Sequence, residues 1–257
     1  MALNRNQMLE IVRGQLALDM NCDPQDFEKD GVVFAEADPR QGIWIDERQT
    51  PHLKAVTMGR GTVVSADKEL LPTIQPILEP RSRDELFNAP FLFGHTIYYI
   101  PDSGDIEKLP FPQGLTFHVR EGEQIHLLYS LPGFRNAMQY NRNHPRPDML
   151  VLYAKQGDRI AGIAGASADS KSMWQIGIDV KPVFGGIGLA ACLVSRLAAM
   201  IVQRDIVPFY GASSTNITAQ SVAVHSGLAP AWMCNTKHTL DGKGPYEGGG
   251  MEPAKQE

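Results

Sequence analysis

Apolar residues recur along this chain at two spacings, and the alternation between them lays out the elements. From Asn4 to Asn21 they return every three or four positions, with Leu9, Val12, Leu16 and Met20 on one face, which predicts an amphipathic helix. From Val32 to Ala66 the pattern turns strand-like, through Gly42-Ile-Trp-Ile45, Leu53 to Thr57 and Gly61 to Ser65. A helix beginning at Asp67 meets Pro72, Pro76 and Pro80, which predicts short broken pieces, and Arg81 to Asn88 offers another short helix. Thr96 to Ile100 reads as a strand, and Pro101 to Gly114 as a connection rich in proline and turn formers.

Beyond that connection the pattern becomes more regular. Leu115 to Val119 predicts a strand and Gly122 to Ser130 a helix. Met149 to Ala154 and Ile160 to Ala164 flank Gly157-Asp158, a hairpin signal. Then comes Trp174 to Val180, a strand, followed by a proline turn, three glycines in four residues (Gly185, Gly186, Gly188), and a helix with Leu189, Leu193 and Leu197 on one face. Glycines let backbone approach a ligand closely, and the amides that open a helix lack partners of their own, so this order makes an anion site. A strand from Val207 to Ser213 and a helix ending at His225-Ser-Gly-Leu228 follow.

Two phosphate-binding patterns are excluded by what surrounds the loop. Gly186, Gly188 and Ala191 fit G-x-G-x-x-A, but Lys181 to Phe184 separate them from the strand, and the next strand ends on serines where an acidic residue belongs. No G-x-x-x-x-G-K-[ST] occurs. The stretch instead resembles motif A of the GCN5-related N-acetyltransferase (GNAT) superfamily, V-x-P-x-x-[RQ]-x-x-G-x-[GA]. Val180, Pro182, Gly188 and Ala190 match it, Gly185 stands where Arg or Gln is usual, and Ile187 occupies another commonly basic position. Pro208 to Asn216 and the helix closed by Gly227-Leu228 resemble the family's second signature, and the likeness runs from about Leu115 to Trp232.

The resemblance implies an α/β (α+β) fold: a GNAT-like mixed central sheet with flanking helices, preceded by a smaller α/β domain. Two parallel strands, here 174–180 and 207–213, would splay apart to admit a pantetheine arm. On this reading residues 1–112 form an N-terminal domain, 113–242 the acyltransferase domain, and 243–257 a flexible tail. The first half stands open as a degenerate second copy or as the wall of an acceptor pocket. Acetyl-CoA, or another short acyl-CoA, is the implied co-substrate. Ile178, Val180, Gly185, Gly186, Ile187, Gly188, Leu189, Ala190 and Asn216 are the implied binding residues.

Composition narrows the setting. A net charge of −5 argues against nucleic acid as the main partner. The most apolar helix, 187–202, is too short to span a bilayer and carries Arg196, so no membrane partner is expected. Cys22, Cys192 and Cys234 are odd in number and far apart, which reads as free thiols in a reducing cytoplasm. The seven histidines show no metal-binding spacing. Oligomeric state is left open.

The chemistry that the resemblance implies is direct attack of an amine on a thioester. Two catalytic groups common in the family are replaced: Trp174 stands where a Glu base is usual and Ala223 where a Tyr acid is usual. Asp179, Gln175, Ser213, Ser214 and His225 are the replacement candidates, with Asp179, His225 and Ser213 foremost. A base contributes roughly 10²- to 10⁴-fold, so losing one slows such an enzyme without abolishing turnover. The first expectation is an N-acyltransferase acting on a small amine or amino-acid-like acceptor. The alternatives are an acyl-CoA-binding sensor and an enzyme acting on a CoA thioester without an amine.

Overall fold

Gly157 takes a left-handed φ of 58°, and the hairpin it turns is the spine of the larger half of the molecule. The structure, a computed structural model, describes residues 3–38, 51–107 and 109–240. The strand expected at 42–45 and the tail expected after Gly242 lie outside the described residues.

In chain order the elements are α1 (Arg5–Met20), β1 (Val32–Glu36), β2 (Leu53–Thr57), β3 (Thr62–Ala66), α2 (Leu71–Leu78), α3 (Arg83–Phe87), β4 (Leu92–Phe93) and β5 (Thr96–Pro101). They continue with β6 (Thr116–Glu121), β7 (Asp148–Gln156), β8 (Arg159–Ala168), β9 (Met173–Val180), α4 (Leu189–Val202), β10 (Val207–Ser213), α5 (Ile217–His225), β11 (Leu228–Cys234) and β12 (Lys237–His238). The fold class is mixed α/β, with a large, mostly antiparallel sheet flanked by helices. Two sequence expectations shift. Gly122–Leu128 is a 3-10 helix rather than an α-helix. The prolines near 72–76 do not break α2: Pro72 sits in its first turn, where an N–H has no partner to lose, and Pro76 forfeits a single bond.

The chain divides into two compact units, Met1–Gln15 with Ile97–Ala231, and Leu16–Thr96 with Trp232–Glu257. The division falls at Thr96/Ile97, ahead of the 101–114 connection, because β5 is hydrogen-bonded into the first unit's sheet next to β10.

In the first unit the strands run β5-β10-β9-β8-β7-β6, with β11 beside β5. β6 to β9 are joined antiparallel, and β9 and β10 are parallel. Helix α4 covers one face through the fully buried Leu193, Leu197 and Ile201, and packs on β8, β9 and β10. The opposite face is covered by the segment around 125–140, whose Ile125, Phe134, Ala137 and Met138 pack on Val151, Tyr153 and Ile163. The Arg5 guanidinium donates to the carbonyls of Pro101 (2.9 Å) and Pro230 (3.0 Å), fixing the start of α1.

In the second unit β1 pairs in parallel with β3, and β3 antiparallel with β2. Met233 and Cys234 lie antiparallel to Thr57 and Val56. The buried Asn235 accepts from the Ala55 amide at 2.6 Å, supplying a ladder bond from a side chain. α2 and α3 pack Ile74, Leu78, Leu86 and Phe87 over this sheet.

Two glycines let the covering segment lie against the first unit's sheet. Gly165 and Gly177 are paired across β8 and β9, and a Cβ at either would collide with the carbonyl of Ala137 or Asn136. Neither has a positive φ, so close approach rather than turn geometry demands glycine there. Gly177→Ala should therefore lower stability by about 1–3 kcal/mol, read as a shifted urea midpoint, because the Asn136 backbone must move. A midpoint equal to wild type would show that the segment is not seated on the strand.

Candidate active site

The parallel pair in the first unit is joined at only three places, Val207 with Met173, Pro208 with Trp174, and Phe209 with Gln175. Past Gln175 and Phe209 the strands part. Ile176 to Val180 and Tyr210 to Ser213 then line the two sides of a cavity of about 510 Å³, with Ala190 of α4, Asn216, Thr218, Ala219 and Val222 around α5, and Asn136. Backbone groups along a parted strand edge have lost their ladder partners and need water or a ligand. About five residue steps of β9, near 16 Å at the usual strand rise, are offered this way.

This parting of two parallel strands beside a glycine-opened helix is the arrangement that the GNAT resemblance implies.

No protein-family model matches the sequence, and no curated protein does. Among solved structures, the chain is similar to a GNAT-family acetyltransferase from Novosphingobium aromaticivorans, at 18% identity over 55% of this chain and 63% of that one, TM-score 0.42. It is also similar to a GNAT-family acetyltransferase from Colwellia psychrerythraea, at 13% identity over 65% and 61%, TM-score 0.44. A third is a GCN5-related N-acetyltransferase-like protein from Streptococcus suis, at 13% identity over 67% and 70%, TM-score 0.43. The chain spans under two thirds of the length of the first two.

The glycine loop lies between β9 and α4. Gly186 and Gly188 take φ of 78° and 76°, with Gly188 as the N-cap of α4, and a side chain at either would meet nothing within 4 Å. Their freedom is used for backbone direction, and the space above them is not filled by protein. The first internal bond of α4 runs from the Cys192 amide to the Gly188 carbonyl (3.0 Å), so the amides of Gly188 to Ala191 have no acceptor within the helix. Gly185 is extended, with φ −68° and ψ 154°. Leu189 is buried and Ile187 half exposed, so Leu189 could offer a ligand only its amide. Ile178, Val180, Ala190 and Asn216 reach the cavity, whereas Gly185 to Leu189 stand outside its lining.

The three foremost catalytic candidates are not gathered. Asp179 holds the covering segment: its Oδ2 accepts from the amides of Asn136 (2.6 Å) and Ala137 (3.0 Å), and its Oδ1 from the Asn136 side chain (2.7 Å). A carboxylate with both oxygens so engaged is a clamp. His225 is exposed at the end of α5, where Nδ1 lies 2.7 Å from the Ser221 carbonyl, and it does not line the cavity. Ser213 does line it, with Oγ 3.0 Å from the Thr215 hydroxyl. The N-cap of α5 is Asn216, which accepts from the Ala219 amide at 3.0 Å.

Two lining residues went unnoticed in the sequence. Tyr210 is the first residue of β10 past the last pair, and its hydroxyl has no hydrogen-bond partner among the described residues. Burial, and then the nearby Asp179 and Tyr99, push its pKa up to about 12, so it is a neutral donor throughout the physiological range. Asn136 comes from the covering segment. Tyr210 is the sole titratable side chain in the lining. The Cys192 thiol is pushed up by burial and is poorly suited to nucleophilic attack. Among the described residues no group of three or more His, Cys, Asp or Glu could hold a metal, and no helix is long and apolar enough to cross a membrane.

If Asp179 is a clamp, Asp179→Ala should cost about 2–3 kcal/mol in chemical denaturation, since three bonds to a charged acceptor are lost. It should also open the chain near 132–140 to limited proteolysis. Unchanged stability, with a changed pH profile of any turnover, would return Asp179 to the role of base.

Proposed function

We propose that this protein transfers an acetyl or other short acyl group from acyl-CoA to a small amine. The observation that carries this reading is the parting of β9 from β10 into a cavity that begins beside Gln175 and runs toward the open glycines at the start of α4. The parted edge suits an extended amide-bearing arm, and the unpaired α4 amides suit a pyrophosphate. Neutral Gly185 and Ile187 leave that contact to backbone dipoles, because the loop's cation, Lys181, is turned to the Pro132 carbonyl and the Phe134 ring.

The chain's residues would act by placement. A backbone amide of β9 stabilises the developing oxyanion, worth about 3 kcal/mol in the barrier. As the C–N bond forms and the C–S bond breaks, the departing thiolate takes a proton from Tyr210, and the phenol is restored by the proton that the new amide sheds. Free Cys22, Cys192 and Cys234 support a reducing compartment, and so a cytoplasmic setting.

A second reading, a sensor that binds acyl-CoA without turnover, is favoured by the absence of an acidic or imidazole side chain from the cavity lining. Thiol release from acetyl-CoA with and without a panel of amines separates the two. Amine-dependent release supports the transferase; binding without release supports the sensor. Gly188→Asp places a charged side chain and an unfavourable φ at the helix start, and should abolish CoA binding in calorimetry. Undiminished affinity would remove the loop from the site.

The pH dependence follows from the lining. With no lining group ionising between the carboxylate range and about 12, kcat/KM should rise with pH along the acceptor amine's own deprotonation. Acceptors of lower pKa should move that limb down by the difference in their pKa values. A limb that stays fixed across acceptors would instead reveal a base on the protein.

A further inference from the structure

Three amide side chains line the cavity, and two of them, Gln175 and Asn136, are each turned by a charged partner that accepts only one orientation. Gln175, at the last pair before the strands part, accepts through Oε1 from Arg146 Nη1 at 3.1 Å. Arg146 Nη1 also donates to Asp169 Oδ1 at 2.8 Å, where burial raises the carboxyl's pKa and the arginine pulls it back down. A guanidinium has no acceptor, so the Gln175 oxygen must face it and the Nε2 group is turned away. Asn136 is the mirror case. Its Nδ2 donates to Asp179 Oδ1 at 2.7 Å, and a carboxylate cannot donate, so Oδ1 is the end left over. Neither Gln175 Nε2 nor Asn136 Oδ1 has a partner among the described residues, and both residues line the cavity.

Both amides also share one face. A Cβ on Gly177 would strike Asn136, and alternation along β9 puts Gln175, Gly177 and Asp179 on that side. A Cβ on Gly162 would meet Leu193 of α4, and Gly162 pairs with Val180, so Ile176, Ile178 and Val180 face the helix. The proposed cofactor phosphates belong with α4, which leaves the Gln175 and Asn136 face for the second substrate.

We infer that Gln175 Nε2 and Asn136 Oδ1 form the acceptor clamp, one donor and one acceptor that together recognise an amine carrying a carbonyl-type oxygen beside it. This rests on the transferase reading above. The amine N–H meets Asn136 Oδ1, which aims its lone pair, and the oxygen of a carboxylate or carboxamide meets Gln175 Nε2. The substrate class is therefore α-amino acids, their amides or peptide N-termini, in preference to plain alkylamines. Arg146 and Asp179 are positioning residues, one for each amide.

Gln175→Glu tests this, because the introduced carboxyl keeps an acceptor for Arg146 while removing the donor. The probes are L-amino acids, the corresponding amides and the decarboxylated amines, assayed with acetyl-CoA at about pH 8, where a carboxyl is ionised. Wild type should favour the oxygen-bearing acceptors by roughly tenfold or more in kcat/KM. Within the variant the oxygen-bearing acceptors should lose that advantage over plain amines, roughly tenfold or more in relative kcat/KM and carried by a raised KM on those acceptors. An intact preference overturns the inference, and so does an equal fall in kcat on every amine, which would place the Gln175 donor on the thioester oxygen. Calorimetric titration of the same compounds into the CoA-bound protein reads the contact without turnover. Selective binding by wild type that the variant loses upholds the clamp even if thiol release never depends on amine, whereas binding alike in both overturns it.

Discussion

An amide or carbonyl in a sheet that has no neighbour must be met by something else, and this requirement shapes the first unit around the separation of β9 from β10. Three residue pairs hold them, and the ladder then stops at Gln175 and Phe209. Buried in protein, the edge beyond would cost a few kcal/mol for each unpaired group. It is tolerable only if it opens to a cavity, and the cavity of about 510 Å³ lies there. The same logic holds at the start of α4, where four amides have no helical acceptor and two left-handed glycines keep the approach clear. Strand edge and helix start are both sets of unmet backbone groups, which is why neutral residues at the commonly basic positions of the loop do not empty the site of binding capacity.

Holding such an opening requires rigidity on the far face. The covering segment seats its carbonyls against Gly165 and Gly177, and Asp179 gathers its amides. A second buried carboxylate, Asp148, takes the Gln139 amide (3.0 Å) and the Tyr129 hydroxyl (2.7 Å), with burial raising its pKa and those bonds lowering it. The two carboxylates fix residues 136–139 at both ends. The carboxylate in the apolar strand thereby has a packing role, as the acceptor that seats the covering segment.

What could be read from the sequence was whatever depends on near neighbours along the chain. The Gly157-Asp158 hairpin and the strand–glycine–helix unit around Gly186 follow from local spacing, and α1 from its apolar face, whereas the Asn216 position came through the family resemblance. The parting of the parallel strands was legible only through the family resemblance. The clamp of Asp179 was not legible, because its partners lie more than forty residues earlier, in a stretch with no motif. Tyr210 was hidden differently: it sits inside an apolar strand, and only the register that ends at Phe209 marks it as facing the opening. The first unit's edge at Ile97 was hidden because a run of prolines resembles a linker even when the strand before it belongs to the following sheet.

The use of neutral amides toward the cavity, with charges set behind them, has a physical rationale. A carboxylate placed directly against an attacking amine would stabilise the ammonium form and raise its pKa, opposing the deprotonation that attack needs. An amide oxygen accepts an N–H without that penalty. It is, however, free to flip, and a flipped Asn or Gln exchanges donor for acceptor. Arg146 behind Gln175 and Asp179 behind Asn136 remove that freedom, since each tolerates one end of the amide only. The charges thus supply orientation, while their own fields are screened by Asp169 in one case and by backbone amides in the other. A site built this way carries polarity without net charge, which on the proposed transferase reading would keep an amine neutral at the point where its lone pair must act.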